Sequence, residues 1–149
     1  MESLIAELGL PSDLKKRQIY WVDHFNAIKG WENRYKEIIQ IGKKLPSMPD
    51  EIYEDQFLVK GCQSKVWLKA KKENENVLFF ADSDAMIVKG LVTLLLSVYS
   101  GQAPAAIVDS SPEFLKKMGF HQALSPSRAN GLNAMIHQIR LYGHALSLV

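Results

Sequence analysis

Apolar positions along this chain recur with two different periods, and the period changes twice. From Asp13 to Ile28, the residues Ile19, Tyr20, Val22, Phe25 and Ile28 give a mixed apolar face at helical spacing. Ser12 or Asp13, after Pro11, is placed to cap that helix and Gly30 to stop it. Trp31, Tyr35, Ile38, Ile39 and Leu45 carry the helical period through a second helix, Trp31 to Lys44, which Pro46 and Pro49 end. Asp50 to Glu54 fits one short helical turn. The pattern then becomes that of strands. Phe57-Leu58-Val59, Val66 to Lys72 and Val77 to Ala81 read as three strands, the last two separated by the polar turn Glu73-Asn74-Glu75-Asn76. Connections this short predict antiparallel pairing, with Gly61 and Cys62 in the link between the first two strands.

From Ser83 onward the period is helical again. Ala85 to Tyr99 is apolar nearly all round, which predicts a helix buried at the centre of a small domain, ended by Gly101. Ala105 to Asp109 and Pro112 to Met118 read as two short helices. Ser125-Pro126 is a strong helix start, with Ser at the cap and Pro in the first turn. The last helix carries Leu132, Met135, Ile136 and Ile139 on its apolar face and extends toward Leu146, with Gly143 as a point of fraying. Helices, then three strands, then helices predict an α+β fold: a three-stranded antiparallel sheet packed against several helices. Neither a repeat nor a linker divides residues 1–149, so a single domain is expected, with residues 1–14 as a separate N-terminal segment.

Composition narrows the class. A length of 149 residues suffices for one sizeable core, and 47% apolar with 23% charged residues is ordinary for a globular chain. The 18 basic and 16 acidic residues leave a net charge of +2, too balanced to imply a nucleic-acid or membrane surface. Leu91 to Leu96, the most apolar stretch, is too short to span a bilayer and is interrupted by Thr93. Met1 to Leu10 carries Glu2 and Glu7 with no basic residue, unlike a secretory signal, so a cytoplasmic location is expected. With one cysteine, an internal disulfide and a zinc site built mainly of thiolates are both excluded.

That cysteine, Cys62, is the first candidate for chemistry. Most lone cysteines are small buried hydrophobes. Against that stand its position between strands, the freedom that Gly61 gives the backbone, and the flanking Lys60 and Lys65, since nearby cations favour the nucleophilic thiolate. Arg128, in the first turn of the last helix, opposes the helix macrodipole there and is either a solvated side chain or an anion-binding or thiolate-stabilising group. Asp82-Ser83-Asp84 precedes the central helix, where capping accounts for most of the signal, and a metal site lacks a third ligand. Lys89 either snorkels or pairs with a carboxylate. Four histidines, His24, His121, His137 and His144, are scattered; His121, in a loop before the last helix, is the candidate partner if Cys62 served a hydrolase or thioltransferase. A third possibility is a regulatory binding module in which Cys62 is only buried.

Several segments resemble one family in the same order. Val59-Lys60-Gly61-Cys62-Gln63-Ser64-Lys65-Val66-Trp67 is similar to the cysteine motif of SufE, the sulfur acceptor of iron–sulfur cluster assembly. Ala81-Asp82-Ser83-Asp84-Ala85 with Ile87-Val88-Lys89-Gly90-Leu91, and Leu124-Ser125-Pro126-Ser127-Arg128 with Asn130-Gly131-Leu132, resemble two further blocks. Trp31-Glu32-Asn33-Arg34-Tyr35 and Gly42-Lys43-Lys44-Leu45-Pro46 resemble its N-terminal helix signature. The match spans roughly residues 15 to 145. Gln63-Ser64 and Asp84-Ala85 look more like the SufE branch than like the related CsdE proteins, which serve a different desulfurase. The resemblance implies a SufE/IscU-like fold and a sulfur-transfer accessory protein rather than a free-standing enzyme. A monomer is expected, since one core accounts for the apolar residues. The resemblance further implies that Cys62 takes sulfur as a persulfide from SufS, a PLP-dependent cysteine desulfurase, stimulates that enzyme, and passes sulfur to a scaffold such as SufBCD. Gly61, Gln63, Asp82, Asp84 and Arg128 are then partner-binding or thiolate-stabilising residues. The PLP belongs to the desulfurase, so this chain is expected to hold no cofactor and no metal.

Overall fold

The computed structural model describes residues 1–149. Its centre is helix α4, Met86–Tyr99, in which every residue from Gly90 to Tyr99 is buried, as its continuous apolar surface requires. Around it lie α1 (Glu2–Leu8), α2 (Leu14–Asn26), α3 (Trp31–Lys43), α5 (Pro104–Asp109), α6 (Glu113–Lys117), α7 (Phe120–Ala123) and α8 (Pro126–Leu146), together with strands β1 (Val66–Glu73) and β2 (Asn76–Ser83). The expected caps form. The Asp13 carboxylate accepts the Lys16 N–H at 3.0 Å, and the Ser125 hydroxyl accepts the Arg128 N–H at 3.4 Å.

The two strands are antiparallel, Val66 opposite Ser83 and Glu73 opposite Asn76. Asn74 and Glu75 join them with φ of 50° and 69°, the paired left-handed conformation of a two-residue turn that matches strand twist. Val66, Leu68, Val77, Phe79 and Ala81 are buried on the inner face, where residues of α4 and α8 pack against them. The domain is thus α+β with helices on an antiparallel sheet, but the sheet has two strands and not three. Asp55–Phe57 form a 3-10 turn, and only Leu58 makes a bridge, to Trp67, while the Val59 N–H donates to the Val66 carbonyl at 2.8 Å. The apolar run Phe57-Leu58-Val59 satisfies burial without a ladder. Residues 60–65 leave the sheet to reach α8, so the two runs lack the tight turn that would zip them together.

Other differences are local. Asp82 and Ser83 end β2, and the cap position of α4 is Ala85, which has no capping side chain of its own but whose N–H donates to the Ser83 hydroxyl at 3.3 Å. Gly143 does not fray α8. It is buried, and a Cβ there would stand 2.8 Å from Ile107 Cγ2 of α5. Residues 1–14 pack, with Leu4, Leu10 and Leu14 buried. The central crossing of α3 and α4 is made at Gly42 and Gly90, where a Cβ on Gly90 would meet the Ile38 carbonyl oxygen at 2.0 Å. Buried Arg17 ties α2 to the end of α4 by donating to the Ser97 and Ser100 carbonyls, each at 3.2 Å, and to Pro11 O at 2.6 Å. No helix is long and apolar enough to cross a membrane.

Candidate functional site

Cys62 lies at the tip of the connection into β1. Gly61, with φ of 94°, turns the backbone there in a region that other residues rarely adopt, and a Cβ on it would touch Ala134 at 3.4 Å. The turn brings the half-buried Cys62 onto α8. Its Sγ stands 3.6 Å from the Gly131 carbonyl oxygen, to which the thiol donates. Sulfur packs directly on the helix at residue 131, where a Cβ would lie 3.5 Å from Sγ, an ordinary contact.

The stem of this connection is held by β2. The Lys65 N–H donates to Asp84 Oδ1 at 3.1 Å, the Ser83 hydroxyl donates to Lys65 O at 2.8 Å, and the Asp84 N–H donates to the same carbonyl at 3.3 Å. Asp84 therefore holds the cysteine loop and not a helix end. Asp82 faces a different group: the Tyr53 hydroxyl donates to it at 2.6 Å and Lys89 Nζ pairs with it at 3.4 Å. That bond and the carboxylate's charge push the Tyr53 phenol up to about 12. Lys89 thus finds the carboxylate partner its setting called for.

Cys62 opens onto a cleft of about 700 Å³. Its apolar wall comes from Ile39 of α3, from Met86, Ile87, Val88 and Leu91 of α4, and from Met135 of α8. Its polar rim is Gln63, Ser64, Ser125, Ser127 and Arg128. Met86 is 62% exposed at the mouth, unusually open for a large apolar side chain. Arg128 lines the cleft and has no carboxylate partner, so it is the charged residue that Cys62 shares this cleft with. The structure thus gathers Cys62, Gln63 and Arg128 at one cleft, with Gly61 turning the backbone before Cys62, Asp84 bonded to the loop stem, and Asp82 engaged by Tyr53 and Lys89.

Two expectations change. Lys60 and Lys65 are exposed and do not set the thiol's acidity; burial dominates and pushes the Cys62 thiol up. Burial thus favours the protonated thiol, which donates to the Gly131 carbonyl. His121 is exposed on α7 and does not line the cleft, and Cys62 has a carbonyl partner where a hydrolase needs an imidazole. No three His, Cys, Asp or Glu side chains come together as a metal site. The cleft wall contributed by Ile39, Met86 and Met135 carried no separate signal in the sequence, because each reads as an ordinary core position of its helix.

Comparison with known proteins bears on the whole of this arrangement. The family model described as SufE, Fe-S metabolism associated domain, matches residues 20–142, a span holding Cys62, the loop stem and both cleft walls. Among solved structures, the solution structure of a hypothetical protein from Thermus thermophilus is similar with a TM-score of 0.75 and 21% identity, over 89% of this chain and 97% of that one. That likeness establishes the shared fold.

Proposed function

The chain belongs to the SufE family, which ties it to iron–sulfur metabolism, and on that premise we propose that Cys62 is the acceptor of a sulfane sulfur. The donor is the persulfide of a PLP-dependent cysteine desulfurase of the SufS type, and the sulfur is relayed to a scaffold such as SufBCD. The chemistry is thiol–disulfide exchange in form. The Cys62 thiolate attacks the outer sulfur of the donor persulfide, a new S–S bond forms on Cys62, the donor's S–S bond breaks, and the donor cysteine leaves as thiolate. Nothing is oxidised or reduced overall, and the proton released from Cys62 balances the one taken up by the leaving thiolate. No triad and no cofactor on this chain are needed.

The observation that carries the proposal is the setting of Cys62: a half-buried thiol at a strand connection, docked on α8 beside an apolar cleft with one arginine at its rim. A relay needs its thiol kept from stray reactions when idle and within reach of the donor when docked. In-line attack requires the loop to leave Gly131, and its hydrogen-bonded stem gives that movement a hinge. Arg128 is suited to attract the anionic donor sulfur or an acidic segment of the partner. The test is desulfurase turnover on free cysteine. Added wild-type chain is expected to raise the rate and Cys62→Ser to leave it unstimulated, whereas equal stimulation by Cys62→Ser would remove Cys62 from the role. Arg128→Ala is expected to weaken the stimulation without unfolding the chain.

A further inference from the structure

The contact between Cys62 and α8 is selective in a way that simple shelter is not. A carbonyl oxygen offers only lone pairs. It accepts an S–H but repels a sulfur that carries negative charge and no proton. We propose that the Gly131 carbonyl is a dock that holds Cys62 only while its sulfur is protonated, so that the thiolate, and on the sulfur-acceptor reading the persulfide anion, releases residues 60–65 from α8. Gly131 is thereby a positioning residue whose preference gives the relay a direction: the empty carrier is closed and the loaded carrier is open.

Three features support this. Sγ lies 3.6 Å from Gly131 O, within reach of a sulfur donor. The three nearest atoms to a Cβ built on Gly131 all belong to Cys62, at 3.5 to 4.0 Å, so the cysteine packs directly on α8 at this position. The charges facing the sulfur do not stabilise an anion against the carbonyl. The cleft walls from α3 and α4 are uncharged, Lys60 and Lys65 are exposed, the Asp84 carboxylate is taken by the Lys65 N–H, and Arg128 is at the rim. A loaded sulfur is drawn outward to Arg128 and away from Gly131. Hydropersulfides are stronger acids than the parent thiols, so loading removes the proton at neutral pH and undoes the dock without any change in the partner.

The peptide bond of Gly131 C=O is shared with the Leu132 amide, which makes that amide a reporter. In the isolated, labelled protein the Cys62 13Cβ and Leu132 15N shifts are followed against pH. Leu132 and the amides of residues 60–65 are expected to move with the Cys62 midpoint, above the ordinary thiol value of about 8.5. A Leu132 amide that ignores the Cys62 titration overturns the dock. Gly131→Ala adds a methyl at ordinary contact distance and is expected to keep the raised midpoint. Gly131→Val adds branches that displace the thiol and is expected to return the midpoint to its ordinary value, with alkylation at neutral pH faster by about threefold for each unit recovered, since the larger thiolate fraction is partly offset by lower nucleophilicity. A folded Gly131→Val with the wild-type midpoint also overturns it. Finally, the chain is treated with a desulfurase and cysteine, repurified, and compared with the thiol form by hydrogen exchange. Faster exchange at residues 60–65 in the loaded form supports the dock, and equal exchange refutes it. Failure to gain sulfur defeats the acceptor reading alone, since the titration still decides the dock.

Discussion

The contact of α3 with α4 allows a sharp test through Gly90→Ala. Alanine is the better helix former by about 1 kcal/mol, so an isolated α4 would gain. In the fold, the new Cβ would stand 2.0 Å from the Ile38 carbonyl oxygen, 2.6 Å from Ile38 Cγ2 and 2.7 Å from the Ile38 carbonyl carbon. Two of those atoms are helix backbone and cannot swing aside. To reach ordinary contact, α4 must back away from α3 by more than an ångström, and a gap of that size forfeits about half or more of each dispersion contact along the crossing. Overpacking of this kind costs about 1–3 kcal/mol, and a backbone clash belongs at the upper end. Set against the helical gain, a net loss of about 2 kcal/mol follows. For a chain of this size that lowers Tm by roughly 4–8 °C. Urea unfolding is the assay, reading a lower midpoint at unchanged slope. A variant more stable than wild type, by the amount helix propensity alone provides, would refute the close crossing.

Further expectations follow from the loop and the core. Asp84→Ala removes the acceptor of the Lys65 N–H at the loop stem. The contact is exposed, so the loss is about 1 kcal/mol, read as several-fold faster hydrogen exchange at residues 60–65 with little change in global stability. Unchanged protection there would show that Asp84 does not hold the stem. Cys62 alkylation is expected to rise with pH through a midpoint above the ordinary thiol value, because burial favours the neutral form. The linked stability is present below the unfolded thiol's midpoint and is lost as pH rises through the raised one. Wild type should therefore lose urea stability relative to Cys62→Ser as the solution is made alkaline, and parallel curves would contradict the shift. Arg17→Met keeps apolar bulk but removes the donors to Pro11, Ser97 and Ser100, and is expected to cost about 2–3 kcal/mol in urea unfolding. A loss within experimental error would mean that the buried guanidinium is replaceable by packing.

Features fixed by neighbours in sequence were legible from it, and features fixed across the fold were not. Ser125-Pro126 starts α8 because capping and a preset φ are local effects. The apolar α4 is central because its run from Gly90 to Tyr99 is apolar on nearly every side. The hairpin lies where its polar turn puts it. Phe57-Leu58-Val59 misled because a three-residue apolar run serves a strand and a buried connection equally well. Asp82-Ser83-Asp84 misled because Ser83 and Asp84 bond to Lys65, some 18 and 19 residues away, and only the Ser83 hydroxyl also meets the helix start, at the Ala85 N–H. For Cys62, position was readable and environment was not. The adjacent lysines pointed to an activated thiolate, whereas contact with α8 from 69 residues away makes it a sheltered thiol. The role of Gly131 needed that contact to be seen at all.

The central claim is that Cys62 accepts sulfur from a desulfurase. Its most direct test is the intact mass of the chain after incubation with a SufS-type desulfurase and free cysteine. A gain of one sulfur atom is expected, reversed by reductant and absent from Cys62→Ser. An unchanged mass with a desulfurase that binds the chain, or the same gain on Cys62→Ser, would contradict it.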